Sequence, residues 1–131
     1  MNLLLDTHTF IWHADASPRM SAAATALLAD PNNSLFVSVV SIWEIAIKSG
    51  LKKLTLGNGY AAFVTTAINT YRLAVLPVTF EDCVEYEALP FPLANHRDPF
   101  DRMLIAQARR NNLSVVGTDT NFDAYGITRL W

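Results

Sequence analysis

Asn2-Leu3-Leu4-Leu5-Asp6 is a short, uninterrupted apolar run closed by a carboxylate, and its reading decides the fold. A run of this kind is what a strand buried on both faces presents. Residues 35–40, 73–78 and 114–117 repeat the character, and residues 127–131 are expected to form a short last strand. Longer amphipathic stretches separate them. Helices are expected over 7–15, over 21–29 with a stop at Pro31, from Ser41 through Ile47 to near Gly50, and over 60–70, 81–89 and 99–111. The last begins with Pro99 in its first turn, where a missing N–H costs nothing. Residues 90–96 read as a loop. Buried strands alternating with helices predict an α/β fold whose central parallel sheet is covered on both faces.

The chain has 131 residues, the size of one compact domain, and residues 1–131 are read as such. Apolar residues make up 51%, and mean hydropathy is +0.20. Two buried layers or a partner interface account for that excess. The formal net charge of −2 and pI near 5.8 leave no global basic footprint for nucleic acid. Binding to RNA or DNA must therefore rest on a local site, with Lys48, Lys52, Lys53, Arg97, Arg102, Arg109 and Arg110 expected around a pocket of acids. The lone Cys83 excludes an internal disulfide or a thiolate metal site and is expected in the core. The first residues lack the basic region of a signal peptide, and no apolar run is long enough to span a membrane, so the expected location is the cytoplasm.

The informative feature is where the acids fall. Asp6 ends the first strand, Asp119 follows the fourth, and Glu44 lies in the first turn of the helix after the second. In a parallel sheet these positions share one edge, where ligands bind. Asp98 and Asp101 join them if the helix they open begins near that edge. Each acid also has a purely structural reading. Ser41-Ile42-Trp43-Glu44 matches a capping box, Asp98 matches a helix cap, and Asp119 matches an Asx-turn. Asp6 is harder to explain that way, because a charge at the end of a buried strand is costly unless paired. Two like charges about 4 Å apart repel by roughly 4 kcal/mol at an effective dielectric near 20. A cluster of four therefore requires a cation or partial protonation. Oxygen donors without a thiolate suit Mg²⁺ or Mn²⁺, and an ion so held promotes hydrolysis of a phosphodiester.

Four pieces, in this order over nearly the whole chain, carry a resemblance. They are Leu3-Leu4-Leu5-Asp6-Thr7-His8, Ser38-Val39-Val40-Ser41-Ile42-Trp43-Glu44-Ile45-Ala46, the run from His96 through Asp98-Pro99-Phe100-Asp101-Arg102 to Ala108, and Val115-Val116-Gly117-Thr118-Asp119-Thr120-Asn121-Phe122. The sequence resembles PIN-domain proteins, in particular the VapC-type toxins of toxin–antitoxin pairs. The resemblance implies a three-layer α/β/α sandwich and an Mg²⁺- or Mn²⁺-dependent endoribonuclease. Its core acids would be Asp6, Glu44 and Asp101, with Asp119 as the fourth and Asp98 as a secondary ligand or cap. It also implies an RNA substrate, a homodimer, and a small antitoxin that blocks the site.

The neighbouring residues have weaker readings. Thr7 and Thr118 either help hold a water or phosphate or make turn hydrogen bonds. His8 and His96 lack zincin spacing and are read as surface or helix-packing residues. Arg102 either meets phosphate or balances the acids. Trp12, Trp43 and Trp131 are read as core or interface anchors. Competing enzymes fit poorly. A receiver domain wants an acidic pair at the first strand end and a late lysine, but no lysine follows Lys53; a haloacid-dehalogenase-type phosphatase wants a second Asp where His8 stands. A flap-type DNA nuclease lacks its helical arch and insertions here. A catalytically silent PIN-like module binding RNA or protein is the non-enzymatic alternative, disfavoured because all four acids are present.

Overall fold

The computed structural model describes residues 1–131. In chain order it contains β1 (Asn2–Leu5), α1 (Thr7–Ala14), α2 (Ala22–Ala29), β2 (Ser34–Ser38), α3 (Val39–Gly50), α4 (Tyr60–Thr70), β3 (Ala74–Leu76), α5 (Phe80–Ala88), α6 (Pro99–Asn111), β4 (Ser114–Val116), a 3₁₀ turn (Thr120–Tyr125) and β5 (Arg129–Leu130). The five strands form one sheet in the order β3-β2-β1-β4-β5, and every neighbouring pair is parallel. This is the α/β architecture expected from the apolar runs.

The central strand shows why. Leu5 pairs with Val37 on one side and Val116 on the other. Side chains alternate across a strand, so Leu3 and Leu5 enter one core while Leu4 enters the other. All three are fully buried. Each such burial stabilises the fold by about 1.5–3 kcal/mol relative to exposure. The first core includes Phe10, Ala24, Leu28, Ile45 and Ala67 from α1 to α4. The second gathers Leu104, Ile105 and Ala108 of α6 with Phe122 and Tyr125 of the 3₁₀ turn. Helices therefore flank the sheet on both faces. No helix is long and apolar enough to cross a membrane.

Several boundaries differ from the sequence reading, for identifiable reasons. Residues 35–40 look like one β-branched strand, but β2 stops at Ser38, whose hydroxyl accepts from Val40 N and opens α3 two residues before Ser41. A polar cap outweighs the modest strand preference of Val39 and Val40. The expected capping box of Ser41 with Glu44 therefore does not form; Ser41 lies buried inside the helix. A capping box does form at α5, between Thr79 and Asp82. The segment after β4, which carries no helical period, forms a 3₁₀ turn capped by Asp119. Cys83 is exposed, not a core residue: α5 packs through Asp82 and Tyr86, which turns Cys83 outward.

Candidate active site

Strands β1, β2 and β3 step outward in one direction, and β4 and β5 in the other. The order reverses between β1 and β4, which is where open parallel sheets bind ligands beyond the carboxyl ends of their strands. A cleft of about 150 Å³ lies there, lined by Asp6, Glu44, Asp98, Asp101 and Asp119 together with Thr7, His8, Lys48 and Phe122. All five acids singled out in the sequence thus face one small space.

Asp6 is the most deeply set, at 5% exposure. Its backbone N–H donates to Val116 O at 3.2 Å, continuing the β1–β4 ladder by one residue. Its carboxylate caps α1 by accepting from Thr9 N at 2.8 Å, and the Thr9 hydroxyl donates to Val116 O at 2.8 Å. The opposing strand leaves room only because residue 117 is glycine. A Cβ there would overlap the Asp6 carboxylate, falling 2.7 Å from its Cγ. Burial pushes the Asp6 carboxyl above its ordinary value, and Asp119 pushes the same way; the Thr9 backbone N–H and His8 oppose them.

Glu44 projects from the second turn of α3 and is held at both oxygens. The Thr7 hydroxyl donates to Oε1 at 2.8 Å, and Lys48 Nζ pairs with Oε2 at 2.8 Å, one helical turn on. The Thr7 and Ser41 hydroxyls lie 3.0 Å apart. Since Thr7 gives its one proton to the carboxylate, Ser41 donates into Thr7 Oγ1.

Asp98 and Asp101 reach the cleft from the start of α6. Asp98 Oδ1 accepts from Phe100 N at 2.8 Å and Asp101 N at 3.1 Å, so Asp98 is the helix cap its sequence context implied, while also lining the cleft. The Asp101 carboxyl is pushed up from 3.8 to about 6, first by burial, then by Asp98; Asp119 adds to this, and a hydrogen bond from His96 works against it. Asp119 caps the 3₁₀ turn through Asn121 N at 3.0 Å, which is the anticipated Asx-turn. His96, Asp101 and Asp119 each offer a ligand atom within 4.8 Å of the others.

His96 is not a surface residue; it is 5% exposed, with Nε2 at 3.2 Å from Asp101 Oδ2 and Nδ1 at 2.7 Å from the Tyr125 hydroxyl. It stands five positions before Asp101, a spacing with no standard motif to flag it. Arg102 neither lines the cleft nor balances its acids. It turns inward, 2% exposed, and donates to Leu89 O and Pro90 O. Of the bases expected around the acids, Lys48 lines the cleft, whereas Arg109 and Arg110 pair with Glu85 and Asp82 on α5. Thr118 does not line the cleft either. Trp12 and Trp131 pack edge-to-face at the margin of the first core, whereas Trp43 is 60% exposed beside Phe100.

The cleft is thus rich in carboxylate oxygen and poor in positive charge, and its one lysine is already engaged by Glu44. Its donor set fits a hard divalent cation. Comparison with known proteins bears on family and fold. The PIN domain family profile matches residues 3–127. A structure of VapBC2 from Rickettsia felis bound to a promoter DNA fragment is similar at a TM-score of 0.74 and 14% identity, covering 99% of this chain and 98% of that one. DNA-bound VapBC from Salmonella typhimurium gives 0.73 and 20%, covering 99% and 97%. VapBC-5 from Mycobacterium tuberculosis gives 0.62 and 22%, covering 98% of each chain. Comparison with curated protein sequences gives no significant match.

Proposed function

Because this chain belongs to the PIN-domain family, we propose that it is a metal-dependent endoribonuclease and the toxin of a toxin–antitoxin pair. The observation that carries the reading is the convergence of Asp6, Glu44, Asp98, Asp101 and Asp119 on one cleft at the sheet's switch point. Asp6 and Asp101 would hold Mg²⁺ or Mn²⁺, with Glu44 and Asp119 completing the set and Asp98 adding negative charge from its cap position. Such an ion, when bound, activates a water for attack on phosphorus and stabilises charge on the phosphate.

The chain's own residues supply the positioning. The ladder bond and Thr9 fix Asp6 against β4, and Thr7 and Lys48 fix both oxygens of Glu44. Lys48, which lines the cleft, would meet a substrate phosphate there. RNA as substrate rests on family membership and these acids, not on net charge. The structural relatives are toxin–antitoxin complexes, which supports a small antitoxin as partner. The exposed Trp43, Phe80 and Val84 support burial against a second copy or that antitoxin. The proposed setting is the cytoplasm, and the proposed unit is one domain over residues 1–131.

Incubation of purified protein with total RNA in Mn²⁺, in EDTA, and with Asp6→Asn tests the proposal. Internal cleavage is expected only for the native chain with Mn²⁺. Cleavage in EDTA, or equal cleavage by the variant, would contradict it; no cleavage under any condition would favour the silent module.

A further inference from the structure

Arg102 is an unusual residue to find buried. It has no carboxylate partner, and its guanidinium is held by two backbone carbonyls and by aromatic faces, with Phe91 3.8 Å and Tyr86 5.5 Å from its carbon centre. Its one side-chain hydrogen bond runs to the Tyr125 hydroxyl at 3.3 Å. That hydroxyl in turn meets His96 Nδ1 at 2.7 Å, and His96 Nε2 meets Asp101 Oδ2 at 3.2 Å. A continuous chain of contacts therefore joins a buried cation to a carboxylate of the cleft.

The direction of this chain follows from proton counting. Arginine only donates, so Tyr125 accepts from it. The hydroxyl's single proton has one remaining partner, His96 Nδ1, which must then be the acceptor. The neutral imidazole carries its proton on Nε2 and donates it to Asp101 Oδ2. The opposite tautomer leaves the Tyr125 proton unplaced in a buried site and sets an imidazole lone pair against a carboxylate, and buried polar groups left unpaired are costly.

We infer that Arg102, Tyr125 and His96 form a polarised relay that holds His96 as a donor and thereby positions Asp101. His96 is a positioning residue for this carboxylate and not a metal ligand, although it lies within ligand distance of Asp101 and Asp119. Asp101 Oδ2 is committed to His96, leaving Oδ1, which has no protein partner, for a cation or water. Arg102 follows Asp101 directly in the chain, so one turn of α6 supplies both the carboxylate and the far end of the device that orients it. The catalytic part of this inference rests on the proposed nuclease function; the tautomer does not.

The test is the ¹⁵N NMR signature of the His96 ring in the full chain, with and without Mg²⁺, compared with Tyr125→Phe, which keeps the ring's packing and removes the hydroxyl. The native protein is expected to show Nε2–H and bare Nδ1 in both conditions, and Tyr125→Phe to show a mixture of tautomers. Partner groups of this kind alter metal affinity by roughly 10- to 100-fold. His96→Ala should therefore weaken Mn²⁺ binding within that range, Tyr125→Phe should weaken it by less, and His96→Gln, whose amide can donate where Nε2–H does, should bind Mn²⁺ more tightly than His96→Ala. A native Nδ1–H tautomer, loss of the Nε2 proton on adding Mg²⁺, or a tautomer unchanged in Tyr125→Phe would each overturn the relay. Absence of RNA cleavage with the tautomer pattern intact would instead count against the nuclease reading alone.

Discussion

Replacing Asp101 with Asn should make the protein more stable and less active, and the size of the gain follows from the site. In the folded chain, burial together with Asp98 and Asp119 raises the Asp101 carboxyl from 3.8 to about 6. Between about pH 4 and 6 the native state holds a proton that the unfolded chain has released, so stability falls as pH rises through that window. Above it the wild type bears the full cost. At 1.36 kcal/mol per pKa unit the interval from 3.8 to about 6 corresponds to about 3 kcal/mol. The side chain is 29% exposed and its neighbours titrate with it, which lowers the expected effect to about 1–3 kcal/mol. Asn has the same shape as the protonated acid, still accepts from His96, and presents an amide to Asp98 and Asp119. Thermal unfolding of both chains in EDTA from pH 4 to 8 reads this directly. The variant's midpoint should exceed the wild type's by several degrees at pH 7.5, and the two should converge near pH 4. Saturating Mg²⁺ should raise the wild-type midpoint and narrow the gap. A variant equal to or less stable than wild type at pH 7.5 would refute the claim that the acids are held together against their own repulsion.

Gly117→Ala should lose about 1–3 kcal/mol by overpacking against Asp6, seen as a lower urea midpoint, and should lower cleavage by about 100-fold, as a displacement near 1 Å does. Thr7→Val removes the donor to Glu44 Oε1 and strands the Ser41 hydroxyl; a stability loss of about 1–3 kcal/mol is expected by denaturant titration, with weaker cleavage. Arg102→Met leaves Leu89 O, Pro90 O and the Tyr125 hydroxyl without their donor, and should cost about 2–5 kcal/mol by the same assay, well above a typical surface change. Acidification below about pH 4 should weaken the α5–α6 contact, because Asp82, despite its burial, is held below its ordinary value by Arg110 and the Thr79 backbone N–H; hydrogen exchange in α5 reads that loss.

Much of the fold is legible in short apolar runs. Leu3-Leu4-Leu5 is apolar on both faces, and only a sheet covered on both sides buries all three. α6 is legible to the residue, because Asp98 and Pro99 start it and Asn112, in a left-handed conformation, ends it. The start of α3 is not, because Val39 and Val40 favour a strand in isolation and the deciding contact is the Ser38 cap. The acids of the site are visible because strand ends and helix starts share an edge in a parallel sheet. Their supports are not. His96 meets Tyr125 across 29 residues, and Arg102 contacts Pro90 across 12, separations that no local pattern encodes. The role of Gly117 depends on the approach of β1, which is likewise invisible from its neighbours in sequence.

The central claim, a divalent cation held by these carboxylates and needed for RNA cleavage, is tested most directly by titrating Mn²⁺ into the protein, following free Mn²⁺ by electron paramagnetic resonance and RNA cleavage in parallel. The account predicts that bound Mn²⁺ and cleavage rise together, and that both are lost in the Asp6→Asn, Asp101→Asn double variant. Cleavage that persists without bound Mn²⁺, or undiminished Mn²⁺ binding in the double variant, would contradict it.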